Sequence, residues 1–267
     1  MQQADDFYQE SLVLGEALDD DLPLGLQTPT GFKGWTVETI VRHLHFWNQM
    51  ALWALEDAEA LSKNIEPIVV GMGAGKTLPT LEQEQIPLAG RELLEAWRDM
   101  TEVVHEAYRK ADPSQRCAWV GPSMSARSCI TARQMETWAH GQAIFDELGR
   151  AREEADRLKN IVILGVNTYD WTFQCRGETP PSPKPYVELT APSGALWHYG
   201  DPQEGNRIIG EAVDFARVVT QTRNVADTAL QVLGGPADSW MRNAQCFAGG
   251  PNPPPEPGTR FTKKAIR

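Results

Sequence analysis

The residues best suited to chemistry lie in the stretch RQMETWAHGQ, residues 133–142. Glu136 and His140 are four positions apart, so on a helix their Cβ atoms lie about 5–6 Å from each other on one face. Zinc ligand atoms sit about 2 Å from the metal, and a carboxylate and an imidazole one turn apart can converge to that distance. A solvated ion pair on a helix surface has the same spacing. The stretch therefore indicates either two ligands of a metal ion or a simple Glu–His pair.

A metal site needs a third ligand from another element, and the second predicted helix offers two histidines. Thr36 is of a residue type that caps helix N-termini, and the apolar pattern after it runs through VETIVRHLHFWNQMALWALEDAEAL. His43 and His45 both lie about 100° from the centre of the apolar face, on opposite sides. Helical periodicity therefore leaves both histidines open as the third ligand.

Four segments have the apolar periodicity of amphipathic helices. The helix that carries His43 is the second of them, and Gly149 is placed to end the fourth as a C-cap. The other three segments are ADDFYQESLVLGEALDD, GRELLEAWRDMTEVVHEAYRKA and ITARQMETWAHGQAIFDEL. They predict a mainly α fold built on a four-helix bundle.

A proline-rich segment at 178–186 separates this helical part from a region of different character. A further helix is predicted over roughly 153–175, and the prolines after it favour an extended spacer. The sequence YVELTAPSGALWHYGD then alternates like a β-hairpin, and two helical segments follow it. We therefore expect a helical bundle at 1–177, a linker at 178–186 and a small α+β domain with a proline-rich tail at 187–267.

The charge balance argues against several classes of partner. Twenty-five basic against 36 acidic residues give a net charge of −11, a field that repels nucleic acid and acidic membrane surfaces. The chain has neither an apolar run long enough to cross a membrane nor the start of a signal peptide, so we expect a cytoplasmic protein. Four cysteines without a CxxC pair predict neither a zinc ribbon nor a disulfide framework.

The sequence GMGAGKT between the second and third helices does not meet the requirements of a nucleotide-binding loop. That loop has four residues between its first glycine and the Gly-Lys pair, whereas Gly71 and Gly75 enclose three. A helix must also follow, and Pro79 comes soon after. We expect a flexible loop over one end of the bundle.

The remaining histidines and cysteines have weaker signals. His105 lies between acidic neighbours and is expected on a helix surface, whereas His198, on the hairpin, is a candidate for a cleft. Cys117 and Cys129 flank the GPSMS loop, but a reactive thiol needs a base or a helix N-terminus beside it, and neither is evident locally.

Two segments together carry a family resemblance. GWTVETIVRHLHFW and GPSMSARSCITARQMETWAHGQAI resemble segments of the DinB-like superfamily, and within it most closely the mycothiol-dependent maleylpyruvate isomerase branch. The match places His43, Glu136 and His140 at the three ligand positions of that family, and Arg133 where the family has an arginine one turn before the glutamate. The resemblance implies a DinB-like bundle with a divalent metal, usually zinc, on His43, Glu136 and His140.

The resemblance covers residues 1–150 clearly and is thinner after the linker. VDFARVVTQTRN resembles a segment of the family's sterol-carrier-like C-terminal domain, which places Arg223 where the family has an arginine near the active site. This chain has TQTR instead of a Gly-Arg pair. It also has Gln142 and Ala143 where many relatives have an aspartate just after the histidine, which alters the support of His140.

The resemblance implies a thiol-dependent isomerase or transferase. Mycothiol or another low-molecular-weight thiol would bind the metal as a thiolate and add to an activated double bond of a small substrate; rotation and elimination would then give the other isomer. Arg133 and Arg223 would pair the substrate carboxylate. The expected metal is Zn²⁺, although Ni²⁺, Fe²⁺ and Mn²⁺ also accept two histidines and a carboxylate. We expect a monomer or a homodimer.

Three other functions stay open from the sequence. The first is a transferase that joins the thiol to an electrophile. The second is a metal-dependent hydrolase or biosynthetic enzyme that uses metal-bound water without a thiol. The third is a non-catalytic metal-binding protein whose C-terminal unit binds a hydrophobic ligand or a partner. A thiol-dependent activity separates the first from the second.

Overall fold

The computed structural model describes residues 1–18 and 25–264 of the chain. By their internal contacts these residues fall into two units, Met1–Leu148 and Gly149–Lys264. In chain order the described elements of the first unit are α1 (Gln2–Ala17), α2 (Val37–Glu56), α3 (Ala58–Gly73), α4 (Leu78–Gln85), α5 (Gly90–Lys110), β1 (Arg116–Cys117), β2 (Met124–Ser125) and α6 (Ala126–Leu148).

Four of these helices form the bundle that the sequence predicts. Helices α1 and α2 each pack against both α5 and α6. Large apolar side chains fill the space between the helices and are almost completely buried, among them Phe7, Leu44, Trp97, Tyr108 and Ile130. Among the described residues, no helix combines the length and the apolarity that a bilayer crossing requires. The predicted mainly α four-helix bundle is confirmed.

Helix α2 begins where the sequence predicts and ends earlier. Thr36 caps it, because its Oγ1 accepts a hydrogen bond from the backbone N–H of Thr39. Asp57 then caps α3 in the same way, with its Oδ1 accepting from the backbone N–H of Ala60. The single long helix predicted here is therefore two helices with a break at Asp57.

The segment expected as a flexible loop lies between two helices, and its first three residues are helical. Helix α3 extends to Gly73, and α4 starts after Thr77, which caps it. A Cβ added at Gly71 would collide with the side chain of Leu81 on α4. The predicted loop is therefore confined to residues 74–77, because α3 extends into the GMGAGKT stretch and Gly71 allows it to pack closely against α4.

The second unit is α+β. Its described elements are a 3₁₀ turn (Asp156–Leu158), α7 (Lys159–Asn167), α8 (Tyr169–Gln174), β3 (Tyr186–Thr190), β4 (Leu196–Tyr199), β5 (Arg207–Glu211), α9 (Ala212–Val219), a second 3₁₀ turn (Val225–Asp227), β6 (Gln231–Leu233) and α10 (Gly235–Asn243). The strand order is β4-β3-β5-β6. Strands β3 and β4 form the predicted antiparallel hairpin, whereas β3 and β5 are parallel. The predicted α+β character is confirmed, but the sequence analysis predicts only helices after the hairpin, and the structure has two further strands there, β5 and β6.

The proline-rich segment 178–186 lies inside the second unit. Helix α7 packs against α9, where a Cβ at Gly165 would come within 2.8 Å of a methyl group of Val219. Helix α8 packs against α10, with ring centroids of Tyr169 and Trp240 5.0 Å apart. The helices before the prolines thus pack on helices after them, and the contacts divide the chain at Leu148–Gly149. The separate domain predicted at 187–267 has packing partners outside its own boundaries.

The tail after α10 wraps over the second unit and is held by amide side chains. Asn252 donates from Nδ2 to Gln221 Oε1 at 2.5 Å and from its backbone N–H to Gln245 Oε1 at 2.9 Å. In return, Gln221 Nε2 donates to the backbone oxygen of Asn252 at 2.8 Å. Gln221 has a φ of 56°, a region that non-glycine residues adopt at some cost. The reciprocal bonds therefore both fix the tail and stabilise an unfavourable backbone conformation.

Replacement of Asn252 tests whether its hydrogen bonds with Gln221 hold the tail. Asn252→Ala leaves the acceptor of the buried Gln221 amide without its donor, which we expect to lower the free energy of unfolding of the second unit by about 1–3 kcal/mol. The tail should then be cleaved faster in limited proteolysis, and the midpoint of thermal unfolding should fall. Asn243→Ala is the control, because its Nδ2 donates along its own helix, to the backbone oxygen of Ser239. Equal proteolysis rates for the two variants would show that these hydrogen bonds do not hold the tail.

Candidate metal centre

Helices α2 and α6 bring His43, Glu136 and His140 together, and these residues are called the triad below. One ligand atom from each residue lies within 4.8 Å of the other two. Glu136 Oε2 is 2.9 Å from His140 Nε2 and 3.5 Å from His43 Nε2. Ligand atoms on a tetrahedral zinc ion are roughly 3.3 Å apart, so these separations fit such an ion. The i,i+4 spacing on α6 and the position of His43 on α2 thus supply converging donors.

The neighbouring His45 does not join the triad. Its imidazole is buried and interacts with the backbone of Ala96 on α5, and burial lowers its pKa. The position on α2 that periodicity left open is therefore filled by His43, as the family resemblance implies.

Burial and mutual charge set the protonation of the triad. Burial alone would lower the pKa of His43, but the carboxylates of Glu82 and Glu136 outweigh it and raise that pKa to about 9. Burial raises the pKa of Glu136, yet hydrogen bonds and charge from the two histidines hold it well below its usual range. Burial lowers the pKa of His140. Without a metal, His43 therefore carries a proton at neutral pH, whereas His140 is neutral and Glu136 is ionised. A metal ion binding at the triad would have to displace the proton of His43.

Glu82 is a second buried carboxylate at this site, and the sequence analysis does not single it out. It lies on α4 and is fully buried. Its Oε1 lies 2.7 Å from His43 Nδ1 and accepts a hydrogen bond from Trp47 Nε1 at 2.9 Å. The local sequence LEQEQ reads as an exposed polar run, so only the docking of α4 onto α2 reveals this contact.

Two aromatic rings from the segment just before α2 pack against the histidines of the triad. The ring of Trp35 stacks on His140 at 5.7 Å between centroids and lies 5.3 Å from the ring of His43. Phe32 meets His140 edge-on at 4.8 Å. Trp138, two residues before His140 on α6, is completely buried. The triad therefore sits beside partly exposed apolar walls that lower the local dielectric.

Comparison with known proteins identifies the family. A family model described as the mycothiol maleylpyruvate isomerase N-terminal domain matches residues 7–145, more than half of the chain. The chain belongs to this family. The matched range contains the whole triad and α4, so the family membership applies to the unit that carries the site.

Relatives of this family member are found among proteins of Mycobacterium tuberculosis and among solved structures. The uncharacterized proteins MT0041 and Rv0036c, from two strains of Mycobacterium tuberculosis, are each 37% identical over 223 residues, 84% of this chain and 86% of theirs. Two crystal structures of mycothiol-dependent maleylpyruvate isomerase, one of a histidine-to-alanine variant, cover 81% of this chain and 87% of theirs. Their identities are 14% and 16%, and their TM-scores are 0.47 and 0.49.

Arg133, expected to pair a substrate carboxylate in this family, is buried between α6 and α2 and is only 2% exposed. Its Nε donates to Asn48 Oδ1 at 3.1 Å, and its Nη2 donates to the backbone oxygen of Leu44 at 3.5 Å. Burial lowers its pKa, and the nearby carboxylate of Glu136 opposes that effect. These contacts favour a role in holding α2 against α6, while the substrate contact stays a prediction.

Arg223 lies in the second unit, just after α9. It is largely buried, its backbone N–H donates to the carbonyl of Arg217, and its Nη1 donates to the carbonyl of Thr222 at 2.8 Å. Its predicted contact with a substrate carboxylate stays a prediction. His198 also lies in this unit, where its Nδ1 is 2.6 Å from the hydroxyl of Tyr186 on the neighbouring strand.

His105 and the cysteines have structural surroundings. His105 Nε2 lies 2.8 Å from Asp5 Oδ1, and its ring stacks on Tyr8 at 4.4 Å. Its side chain is only 15% exposed, so it is more buried than the predicted surface position. Cys117 and Cys129 are buried, and burial raises the pKa of both thiols, that of Cys129 to about 12. Thiols held protonated in this way are poor nucleophiles at neutral pH.

Substitution of Arg133 separates its two possible roles. Arg133→Met leaves the buried Asn48 Oδ1 without its donor, so we expect the free energy of unfolding of the bundle to fall by about 1–3 kcal/mol in urea titrations. Arg127→Met, on the exposed first turn of the same helix, is the matched control and should change stability little. An unfolding midpoint like that of the unsubstituted protein would instead favour a contact of Arg133 with substrate alone.

Proposed function

We propose that the triad holds a divalent metal ion and that the protein is a thiol-dependent enzyme acting on a small carboxylate substrate by isomerisation or transfer. The observation that carries the proposal is the convergence of two imidazole nitrogens and one carboxylate oxygen in a member of the mycothiol maleylpyruvate isomerase family. Two histidines and one glutamate are a ligand set of catalytic zinc sites, which keep a coordination position open.

The charge of the donor set also suits a divalent metal ion. Two neutral imidazoles and one carboxylate leave a divalent ion with net positive charge, which attracts an anion. When bound, such an ion favours the deprotonated form of a thiol and polarises a carbonyl. Zn²⁺ is the proposed ion, and the same donors also accept Ni²⁺, Fe²⁺ or Mn²⁺.

Residues of the chain itself position the proposed ligands and shield them from water. Trp35 and Phe32 pack against the imidazole of His140 and shield the triad, which strengthens electrostatic interactions with an incoming anion. The carboxylate Oε2 of Glu136 lies 2.9 Å from His140 Nε2 and 3.5 Å from His43 Nε2, so the three proposed ligand atoms are close to one another. The thiol is proposed to be mycothiol or another small thiol from outside the chain, since the cysteines of this unit, Cys117 and Cys129, are buried with raised pKa values.

Removal of either histidine tests the metal site. We expect purified protein to carry about one metal ion per chain, and His43→Ala and His140→Ala each to lose most of it, because two remaining ligands hold a catalytic metal poorly. Inductively coupled plasma mass spectrometry measures the stoichiometry. His105→Ala is the control, since His105 bonds Asp5 on the bundle surface. Unchanged metal content in both triad variants refutes the ligand assignment.

The thiol requirement is tested with the metal-loaded protein on maleylpyruvate. We expect turnover only when mycothiol and metal are both present, and loss of turnover in the His43→Ala variant. A stable thiol adduct of an electrophile as the product would assign a transferase rather than an isomerase. Turnover without any thiol would favour hydrolysis or cyclisation. Absence of turnover with every thiol tested would refute the proposed reaction. The metal site would then be judged by the metal content of the histidine variants alone.

A further inference from the structure

The carboxylate of Glu82 contacts the site from a helix outside the four-helix bundle. Its side chain comes from α4 and reaches α2, where Oε1 contacts both His43 Nδ1 and Trp47 Nε1. Its other oxygen, Oε2, is buried and has no hydrogen-bond partner within residues 1–18 and 25–264. A carboxylate is costly to bury, so this placement requires strong interactions in return.

His43 uses both ring nitrogens, one for each carboxylate. Nδ1 lies 2.7 Å from Glu82, and Nε2 lies 3.5 Å from Glu136. A hydrogen bond donated by Nδ1 to Glu82 fixes the tautomer in which Nε2 carries a free lone pair. It also fixes the ring plane and raises the basicity of Nε2.

We propose that Glu82 is a positioning residue of the metal centre, which orients His43 and strengthens its Nε2 as a ligand. The inference rests on the proposed metal site and assigns a second part of the chain, α4, to it. Trp47 also donates a hydrogen bond to Glu82 Oε1. It lies one turn after His43 on α2, so the two side chains that contact this oxygen lie on the same face of one helix.

The two histidines of the triad differ in this support. Nδ1 of His140 is buried and has no hydrogen-bond partner in the part of the chain that the structure describes. Gln142, which follows His140, donates instead to Asp146 Oδ1 at 2.9 Å. The outer carboxylate that a metal-binding histidine commonly needs is therefore present for His43 and comes from α4.

The metal affinity of Glu82 variants that change the charge or the length of the side chain tests the proposal without an activity assay. Apo protein is titrated with Zn²⁺ in competition with a chromophoric chelator, and the Co²⁺-loaded protein gives a visible absorption spectrum that reports ligand geometry. We expect Glu82→Gln, which removes the charge, to weaken Zn²⁺ binding about 10–100-fold. We also expect Glu82→Asp, which keeps the charge but shortens the side chain, to weaken binding and change the Co²⁺ spectrum.

Two controls distinguish positioning from effects on folding or net charge. Glu84→Gln changes the same charge on the same helix at an exposed position paired with Lys76, and should bind Zn²⁺ like the unsubstituted protein. Thermal unfolding of each apo variant reports whether it folds. If Glu82→Gln does not fold, Glu82→Asp is used to test the proposal.

The possible results separate this inference from the metal site itself. If a folded Glu82 variant binds Zn²⁺ within twofold of the unsubstituted protein and has an unchanged Co²⁺ spectrum, the inference is overturned while the triad stands. If the unsubstituted protein binds no Zn²⁺ or Co²⁺, both proposals are overturned. Weaker binding and an altered spectrum, with Glu84→Gln unaffected, support the role of Glu82.

Discussion

The burial of two carboxylates between helices is the constraint on which the arrangement of the bundle depends. Glu82 is fully buried and the side chain of Glu136 is only 25% exposed, so each needs compensating charge or hydrogen bonds. His43 lies between them and interacts with both, and Arg133 lies one turn before Glu136. The positions of α2, α4 and α6 are therefore fixed by polar contacts as well as by apolar packing.

A polar layer next to the triad sets the alignment of three bundle helices. Asn48 on α2 accepts from Arg133 on α6 and donates to Thr101 on α5, and all three side chains are buried. A buried network that satisfies its donors and acceptors only in one alignment disfavours slippage of the helices. Because His43 and Glu136 lie on the same helices as Asn48 and Arg133, this layer also keeps the triad converged.

The features that sequence could predict are local ones. Apolar periodicity gave the four bundle helices, and the i,i+4 spacing placed Glu136 and His140 on one face, whereas the selection of His43 over His45 needed the family resemblance. Glu82 could not be predicted, because its contact depends on how α4 docks onto α2 rather than on spacing within α4. Glycines around GMGAGKT suggested a loop, but Gly71 serves helix packing instead.

Helix α4 is too short to be stable alone, since isolated helices of this length are marginal in water. It is held by the Thr77 cap, by packing against α3, and by Glu82 at the site. If Glu82 orients His43 as proposed, changes in α3 or α4 that never touch the triad reach His43 through the Glu82 carboxylate. The proposed role of Glu82 thus makes the segment between α2 and α5 part of the site, where it acts on His43 separately from Glu136 and His140 on α6.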